Sequence, residues 1–133
     1  MPKTAKTKIL IIEDDASLLK VLTDMLQLEG FEPLTAINGE EGLKKALSEN
    51  PDLILLDILM PVMDGLTMLE KLRRANDFGK TVPVIILTNL SADSADVIKK
   101  VAKNNPSYYI VKSSLTIQEV VEKIKERLAK QGS

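Results

Sequence analysis

Short, continuous apolar runs recur along this chain, and the segments between them carry apolar residues at helical spacing. The runs have the length of strands that are buried on both faces. Strands that alternate with helices form parallel sheets, because each helix carries the chain back across the sheet. The predicted strands comprise residues 8–12, 53–56, 82–87 and 108–111, together with a weaker strand at 31–36.

Five helices are predicted to follow these strands, one after each. They comprise residues 16–29, 40–48, 65–75, a segment that begins within 91–96, and a last segment from 117 to 128. The fourth helix is weakly encoded, because several capping residues compete to start it. The handedness of crossover connections favours a doubly wound sheet. The predicted fold class is therefore α/β, a doubly wound five-stranded parallel sheet with five helices.

The chain has the size and composition of a single folded domain. It has 133 residues, of which 44% are hydrophobic and 28% charged, which is ordinary for a globular protein. We predict an N-terminal tail at residues 1–7, one domain at 8–129 and a C-terminal tail at 130–133. There is no cysteine or histidine, which excludes disulfides, thiolate metal sites and imidazole catalysis.

Charge and hydropathy also limit the partners that this chain can have. The formal net charge is -1, so no overall positive field attracts DNA or an anionic membrane. The first eight residues, MPKTAKTK, lack the apolar stretch of a signal peptide, and no window is long enough to span a membrane. We expect a cytoplasmic protein that does not bind nucleic acid directly.

Acidic residues follow two of the predicted strands at the point where each ends. Asp57 comes directly after Leu53–Leu56, and Glu13-Asp14-Asp15 comes directly after Ile9–Ile12. The carboxyl ends of neighbouring parallel strands meet at one edge of a sheet, where open α/β folds bind their ligands. We expect Asp15 to cap the first helix and the other acids to attract a divalent cation.

Four motifs at strand ends connect this chain with a known family. They are Glu13-Asp14, Asp57 with the following MPVMDG, Thr88 at the end of the fourth strand and Lys112 at the end of the fifth. In this order they are specific, and over nearly its whole length the chain resembles the receiver domain of bacterial two-component response regulators. The resemblance implies a flavodoxin-like sheet in the order 2-1-3-4-5.

The resemblance also implies a phosphorelay function. Asp57 matches the phosphoacceptor, which takes a phosphoryl group from a sensor histidine kinase or a phosphotransfer protein. Mg²⁺, or Mn²⁺ in its place, would be held by Asp14, Asp57, the backbone carbonyl of Leu59 and, through water, Glu13. The chain would be a signalling domain rather than an enzyme, although it would assist its own phosphorylation and slow autodephosphorylation.

Further residues match the parts of the family that read out phosphorylation. Thr88 and Lys112 match donors to the phosphoryl oxygens, and Tyr109 matches an aromatic residue that turns inward as Thr88 moves. The switch would control an output partner or an output domain outside this chain. Homodimerisation on phosphorylation occurs in the transcriptional branch of the family, although no pattern here demands it.

The chain departs from the family pattern at several positions. Ser113 stands where a proline, commonly after a cis bond, usually follows the lysine, and Asn89 is larger than the usual small residue after Thr88. Leu59 and Leu90 stand at positions that influence loss of the phosphoryl group. Two apolar residues would position an attacking water poorly, so we predict slow self-dephosphorylation.

The first helix carries more apolar residues than a single buried stripe needs. These residues are Leu18, Leu19, Val21, Leu22, Met25, Leu26 and Leu28. We hypothesise that Leu19 or a neighbour contacts the helical hairpin of the kinase. Extra core packing is the alternative explanation.

The sequence also bears on four alternative functions. An aspartate-nucleophile phosphatase of the haloacid dehalogenase type would need a second aspartate at position 59, which is leucine. A flavodoxin-like cofactor binder would place a phosphate against Glu13-Asp14-Asp15, which would repel it. A P-loop nucleotidase is excluded, because this chain has no glycine-rich loop that ends in GK[ST]. A pseudo-receiver that keeps the fold without phosphorylation stays possible because of Ser113 and Asn89.

Overall fold

The computed structural model describes residues 6–58, 60, 62–88, 108–111 and 116–131, with backbone only for Thr88, residues 108–111 and Gln131. Its strands are β1 (Lys8–Ile12), β2 (Glu32–Ala36), β3 (Leu53–Leu56), β4 (Val84–Thr88) and β5 (Tyr108–Val111). Its helices are α1 (Ala16–Leu28), α2 (Gly39–Glu49), α3 (Gly65–Ala75), α4 (Asp77–Thr81) and α5 (Ile117–Gln131). The predicted helix that begins within residues 91–96 lies outside the described residues.

The five strands form one parallel sheet in the order β2-β1-β3-β4-β5. The order reverses direction at β1, since β2 lies on one side of β1 and β3 on the other. In doubly wound sheets a crevice forms at the carboxyl ends of the strands beside this reversal. The predicted parallel sheet is confirmed. Its switch point lies at β1, which ends directly before Glu13.

Both faces of the sheet are buried, which explains the continuous apolar runs. Alternate residues of β1 point to opposite faces, so Leu10 and Ile12 pack in one cluster and Ile9 and Ile11 in the other. The first cluster includes residues of α2 and α3, namely Ala46, Met68, Leu69 and Leu72. The second includes residues of α1 and α5, namely Leu22, Leu26, Val120, Val121 and Ile124. The helices therefore cover the sheet on two sides.

Side-chain caps fix the starts of the helices that follow the two acidic strands. The Asp15 side chain accepts hydrogen bonds from the N–H groups of Ser17 and Leu18 at 3.0 and 3.2 Å. The Asp64 side chain accepts one from the N–H of Thr67 at 2.8 Å. Both carboxylates satisfy N–H groups that have no partner within the helix. The predicted capping role of Asp15 is confirmed, and Asp64 caps α3 in the same way.

The short helix α4 was not predicted from the sequence, and it delays the start of β4. Asn76 caps α4 by accepting the N–H of Gly79 at 2.8 Å. The N–H of Val82 donates to the carbonyl of Phe78 at 3.0 Å, so residue 82 completes the helix and cannot begin a strand. The prediction that β4 begins at residue 82 is therefore wrong, and β4 begins at Val84.

The outer surface of α1 bears on the hypothesis that Leu19 or a neighbour contacts the kinase. Leu19 is partly buried and packs against the cluster formed with α5. Val21 and Leu28 are instead the exposed apolar residues of this helix, with 46% and 82% of their surface accessible. Leu19 therefore contributes to core packing, Val21 and Leu28 do not, and kinase docking through Leu19 or a neighbour stays a prediction.

The last helix, α5, continues to Gln131, past residue 129 where we predicted the domain to end. An ion pair between Lys125 of α5 and Glu29, at the end of α1, connects these two helices. Among the helices in the described part of the chain, none combines the length and apolar character that crossing a bilayer requires.

Candidate functional site

Backbone hydrogen bonds bring the two acidic strand ends side by side. The N–H of Asp57 donates to the carbonyl of Ile12 at 3.0 Å, and the N–H of Glu13 donates to the carbonyl of Ala36 at 3.0 Å. Pairing of β1 with both of its neighbours therefore continues to the first acidic residue after each strand. The convergence that the sequence predicts is confirmed for Glu13 and Asp57.

Three carboxylates meet at this edge of the sheet. One carboxylate oxygen from each of Glu13, Asp14 and Asp57 lies within 4.8 Å of the other two. Only 2% of Glu13 and 5% of Asp57 is accessible to solvent, whereas Asp14 is exposed. Burying like charges this close together is costly unless they are compensated. A donor set made only of carboxylate oxygens, open to solvent on one side, fits a hard divalent cation such as Mg²⁺.

The acidic run after β1 divides into two roles. The Glu13 carboxylate accepts the N–H of Asp15 at 3.1 Å, which holds it at the start of α1. The Asp15 side chain points to the helix instead, where it forms the cap. The run therefore supplies Glu13 and Asp14 to the cluster and Asp15 to the helix, as the sequence indicated.

The helix that follows Asp57 packs directly against the backbone of this residue. The N–H of Gly65, the first residue of α3, donates to the carbonyl of Ile58 at 2.8 Å. A Cβ atom added at Gly65 would lie 2.1 Å from the carbonyl oxygen of Asp57. Only glycine fits at this contact. The sequence predicts that a helix begins at residue 65, but it does not predict the contact of Gly65 with Asp57.

Two further predicted site residues, Thr88 and Tyr109, lie on the neighbouring strands β4 and β5. Thr88 is the last residue of β4 and lies opposite Val111 of β5. Tyr109 of β5 lies opposite Ile86 of β4. Because β4 is the neighbour of β3, Thr88 lies at the same carboxyl edge as Asp57. The side chains of Thr88 and Tyr109 lie outside the described part of the chain. So do Leu59, Asn89, Leu90, Lys112 and Ser113.

Comparison with known proteins identifies the family to which this site belongs. The model of the response regulator receiver domain matches residues 9–125. This chain is a member of the response regulator receiver family. Receiver domains are signalling domains of two-component systems and not conventional enzymes. The resemblance given by the four motifs is confirmed.

Curated relatives of this receiver domain are longer proteins. It is 36% identical over 126 residues to the transcriptional regulatory protein PrrA of Mycobacterium tuberculosis. The matched region covers 95% of this chain and 52% of PrrA. The receiver domain is 42% identical over 85 residues to a probable transcriptional regulator, ycf27, of Pyropia yezoensis, spanning 64% of this chain and 33% of that protein. The chain thus corresponds to between a third and about half of these relatives.

Solved receiver structures match the whole fold. A CheY-like receiver domain protein from Methanospirillum hungatei has a TM-score of 0.85 and 30% identity, covering 96% of this chain and 98% of that one. The receiver domain of a Francisella response regulator has a TM-score of 0.81 and 28% identity, covering 96% and 99%. These structures are similar to this chain over almost their entire length.

Proposed function

We propose that this receiver domain accepts a phosphoryl group on Asp57 from a phosphohistidine of a sensor histidine kinase or a phosphotransfer protein. The observation that supports this proposal is the cluster of Glu13, Asp14 and Asp57, with carboxylate oxygens within 4.8 Å of one another. Asp57 stands at the end of a buried strand, and its backbone is fixed by contacts with Ile12 and Gly65. A nucleophile needs this kind of fixed position.

A divalent cation, Mg²⁺ or Mn²⁺, would be held by Asp14, Asp57 and the backbone carbonyl of Leu59, with Glu13 acting through a water molecule. When bound, the cation neutralises negative charge that would otherwise keep the nucleophile and the phosphoryl group apart. Glu13 is nearly fully buried and already accepts the N–H of Asp15. Its fixed carboxylate suits an indirect role, whereas the exposed Asp14 can approach the ion directly.

In the transfer step a carboxylate oxygen of Asp57 forms a bond to phosphorus while the bond between phosphorus and the imidazole nitrogen breaks. The imidazole leaves with the electron pair and takes up a proton, and the product is an aspartyl phosphate. Because Asp14 is exposed while only 5% of Asp57 is accessible, we expect the donor to approach from the side of Asp14.

Thr88 and Lys112 would donate to the phosphoryl oxygens and hold the product, and Tyr109 would turn inward as Thr88 moves. The new group brings about -1.5 to -2 charges and three acceptor oxygens, which is enough to draw a hydroxyl toward it. β4 delivers Thr88 to the edge that carries Asp57, and this supports the proposed contact. The resulting change in conformation would control an output partner.

The output of this receiver is a proposal that extends beyond these residues. PrrA and ycf27 are named transcriptional regulators, and the chain spans only part of each. An output domain outside this chain, or a separate output protein, would carry the response, with homodimerisation as one route to it. The expectation that these 133 residues do not bind DNA by themselves stays a prediction, as does a cytoplasmic location.

Phosphoramidate tests the proposed function because its phosphorus–nitrogen bond resembles that of phosphohistidine. The protein is incubated with phosphoramidate and Mg²⁺ or with phosphoramidate and a chelator, and its intact mass is measured. We expect one phosphoryl group on the wild type with Mg²⁺, none with the chelator and none on Asp57→Asn. Asp24→Asn is the control, since Asp24 is an exposed acid that pairs with Lys20 on α1. Equal labelling of Asp57→Asn and the wild type would contradict the proposal.

A further inference from the structure

A backbone hydrogen bond connects the start of α2 to the segment that follows the phosphoacceptor. The N–H of Gly39 donates to the carbonyl of Met63 at 2.9 Å. Gly39 is buried and is the first residue of α2, whereas Met63 lies between β3 and α3. Two connections that are distant in sequence are thus joined at the carboxyl edge of the sheet.

No side chain fits at Gly39. An added Cβ atom would lie 2.4 Å from the carbonyl oxygen of Met63 and 3.1 Å from that of Asp64. These neighbours are backbone atoms, so the clash cannot be relieved by turning a flexible side chain. Either α2 or the segment containing Met63 and Asp64 would have to move.

A movement of Met63 and Asp64 would reach Asp57 through the next residue. Gly65 follows Asp64, donates its N–H to the carbonyl of Ile58, and lies so close to Asp57 that an added Cβ would be 2.1 Å from its carbonyl oxygen. The segment Met63–Gly65 is therefore fixed at both ends. Met63 is bonded to Gly39 of α2, and Gly65 packs against the backbone of Asp57. The contacts form a short backbone path from α2 to Asp57.

We propose that Gly39 is a positioning residue of the phosphoacceptor site, which fixes the cation-binding geometry of Asp57 through Met63 and Gly65. The proposal depends on the function proposed above, because it assumes that Asp57 helps to bind Mg²⁺. Gly39 itself contacts neither the cation nor the phosphoryl group. Mg²⁺ requires nearly ideal octahedral geometry, so a displacement of a few tenths of an ångström at one ligand weakens its binding.

Gly79 provides a matched control. It is also a buried glycine in the first turn of a helix, and a Cβ atom there would lie 1.9 Å from the carbonyl oxygen of Leu72. Leu72 lies toward the end of α3, whereas the acidic cluster lies at the start of this helix. Gly79→Ala therefore introduces a comparable clash far from Asp57.

The experiment measures the Kd for Mg²⁺ by amide chemical shifts in isotope-labelled, chelator-treated proteins, together with stability in urea. We expect Gly39→Ala to raise the Kd about 10-fold or more, as loss of a residue that supports a metal ligand typically does. Gly79→Ala should destabilise the fold similarly but change the Kd by less than about twofold. Equal Kd values for both folded variants and the wild type would overturn the proposal.

The wild-type titration provides a second test that does not require Gly39→Ala to fold. Because the cation acts on Asp57 and the contacts lead from there to Gly39, saturation with Mg²⁺ should shift the amide proton of Gly39 more than that of Gly79. Shifts at Asp14 and Asp57 without a larger shift at Gly39 would overturn the positioning role alone. A wild type in which neither acid responds to Mg²⁺ would contradict the proposed function and, with it, this proposal.

Discussion

The backbone N–H of Asp57 donates to the carbonyl oxygen of Ile12 at 3.0 Å, which extends the pairing of β1 with β3 beyond the last residue of β3. Glu13 directly follows Ile12, so this hydrogen bond brings the two buried acids together. Their proximity is a property of the central sheet rather than of a flexible loop. A site on a sheet edge is held more precisely than one on loops alone.

Mg²⁺ is expected to stabilise the folded protein, because the carboxylate cluster exists only in that state. At a concentration about ten times the Kd, binding to the native state alone adds about 1.4 kcal/mol to the free energy of unfolding. Urea unfolding with and without Mg²⁺ at constant ionic strength measures this gain. Asp14→Asn should lose most of it, while Asp24→Asn should keep it. A gain that survives in Asp14→Asn would place the cation elsewhere.

Val62 has an unfavourable backbone conformation for its residue type. Its φ is 68°, a left-handed value that is strained for a β-branched residue, and 76% of its surface is exposed. Val62→Asn should therefore raise the free energy of unfolding by about 1 kcal/mol. The measurement is urea denaturation.

The control for this stabilisation is the same substitution in α1. Val21 is also an exposed apolar residue, at 46%, but its backbone is helical. Val21→Asn should change stability by no more than about 0.5 kcal/mol. If Val62→Asn gave no gain over Val21→Asn, the left-handed backbone at residue 62 would not be the source of strain.

Arg73 connects α3 to the end of α4. One of its terminal nitrogens donates to the carbonyls of Gly79 and Val82 at 3.0 and 2.7 Å, and burial lowers the pKa of its guanidinium below the usual value. Arg73→Met leaves these carbonyls without this charged donor and should cost about 2 kcal/mol in unfolding free energy. Arg74→Met, at an exposed neighbour, should cost less than about 0.5 kcal/mol. Equal losses would argue against this link.

Slow self-dephosphorylation is a prediction from sequence alone. Leu59 and Leu90 offer no polar group to orient an attacking water, and such orientation is part of phosphoryl transfer to water. Leu59→Asn or Leu90→Glu should shorten the half-life of the phosphorylated protein, measured by intact mass after removal of the donor. Leu28→Asn, at an exposed position of α1, should leave the half-life unchanged. A wild-type half-life shorter than that of Leu59→Asn would contradict the prediction.

The sequence predicted the parts of the molecule that depend on side-chain pattern. The apolar run at Leu53–Leu56 is buried on both faces, and an acid after such a strand must lie at the edge of the sheet. The same reasoning located Glu13. The capping role of Asp15 was also predictable, since a short acidic side chain before a helical pattern satisfies free N–H groups.

Features that depend on backbone contacts could not be predicted in this way. α4 has five residues and contains Gly79, so it lacks the repeated apolar spacing that identifies a helix. The left-handed backbone of Val62 contradicts the preference of valine. The links from Gly39 to Met63 and from Gly65 to Ile58 join main-chain atoms. The sequence shows that both glycines are small, but it does not show which residues they contact.

The position of the phosphoryl group tests the central claim most directly. After phosphorylation with phosphoramidate and Mg²⁺, borohydride reduces an aspartyl phosphate to homoserine, and peptide mass mapping then locates the modified residue. We predict homoserine at position 57 and unmodified aspartate at positions 14 and 15. Homoserine at another position, or none in a protein that binds Mg²⁺, would contradict the assignment of Asp57 as the phosphoacceptor.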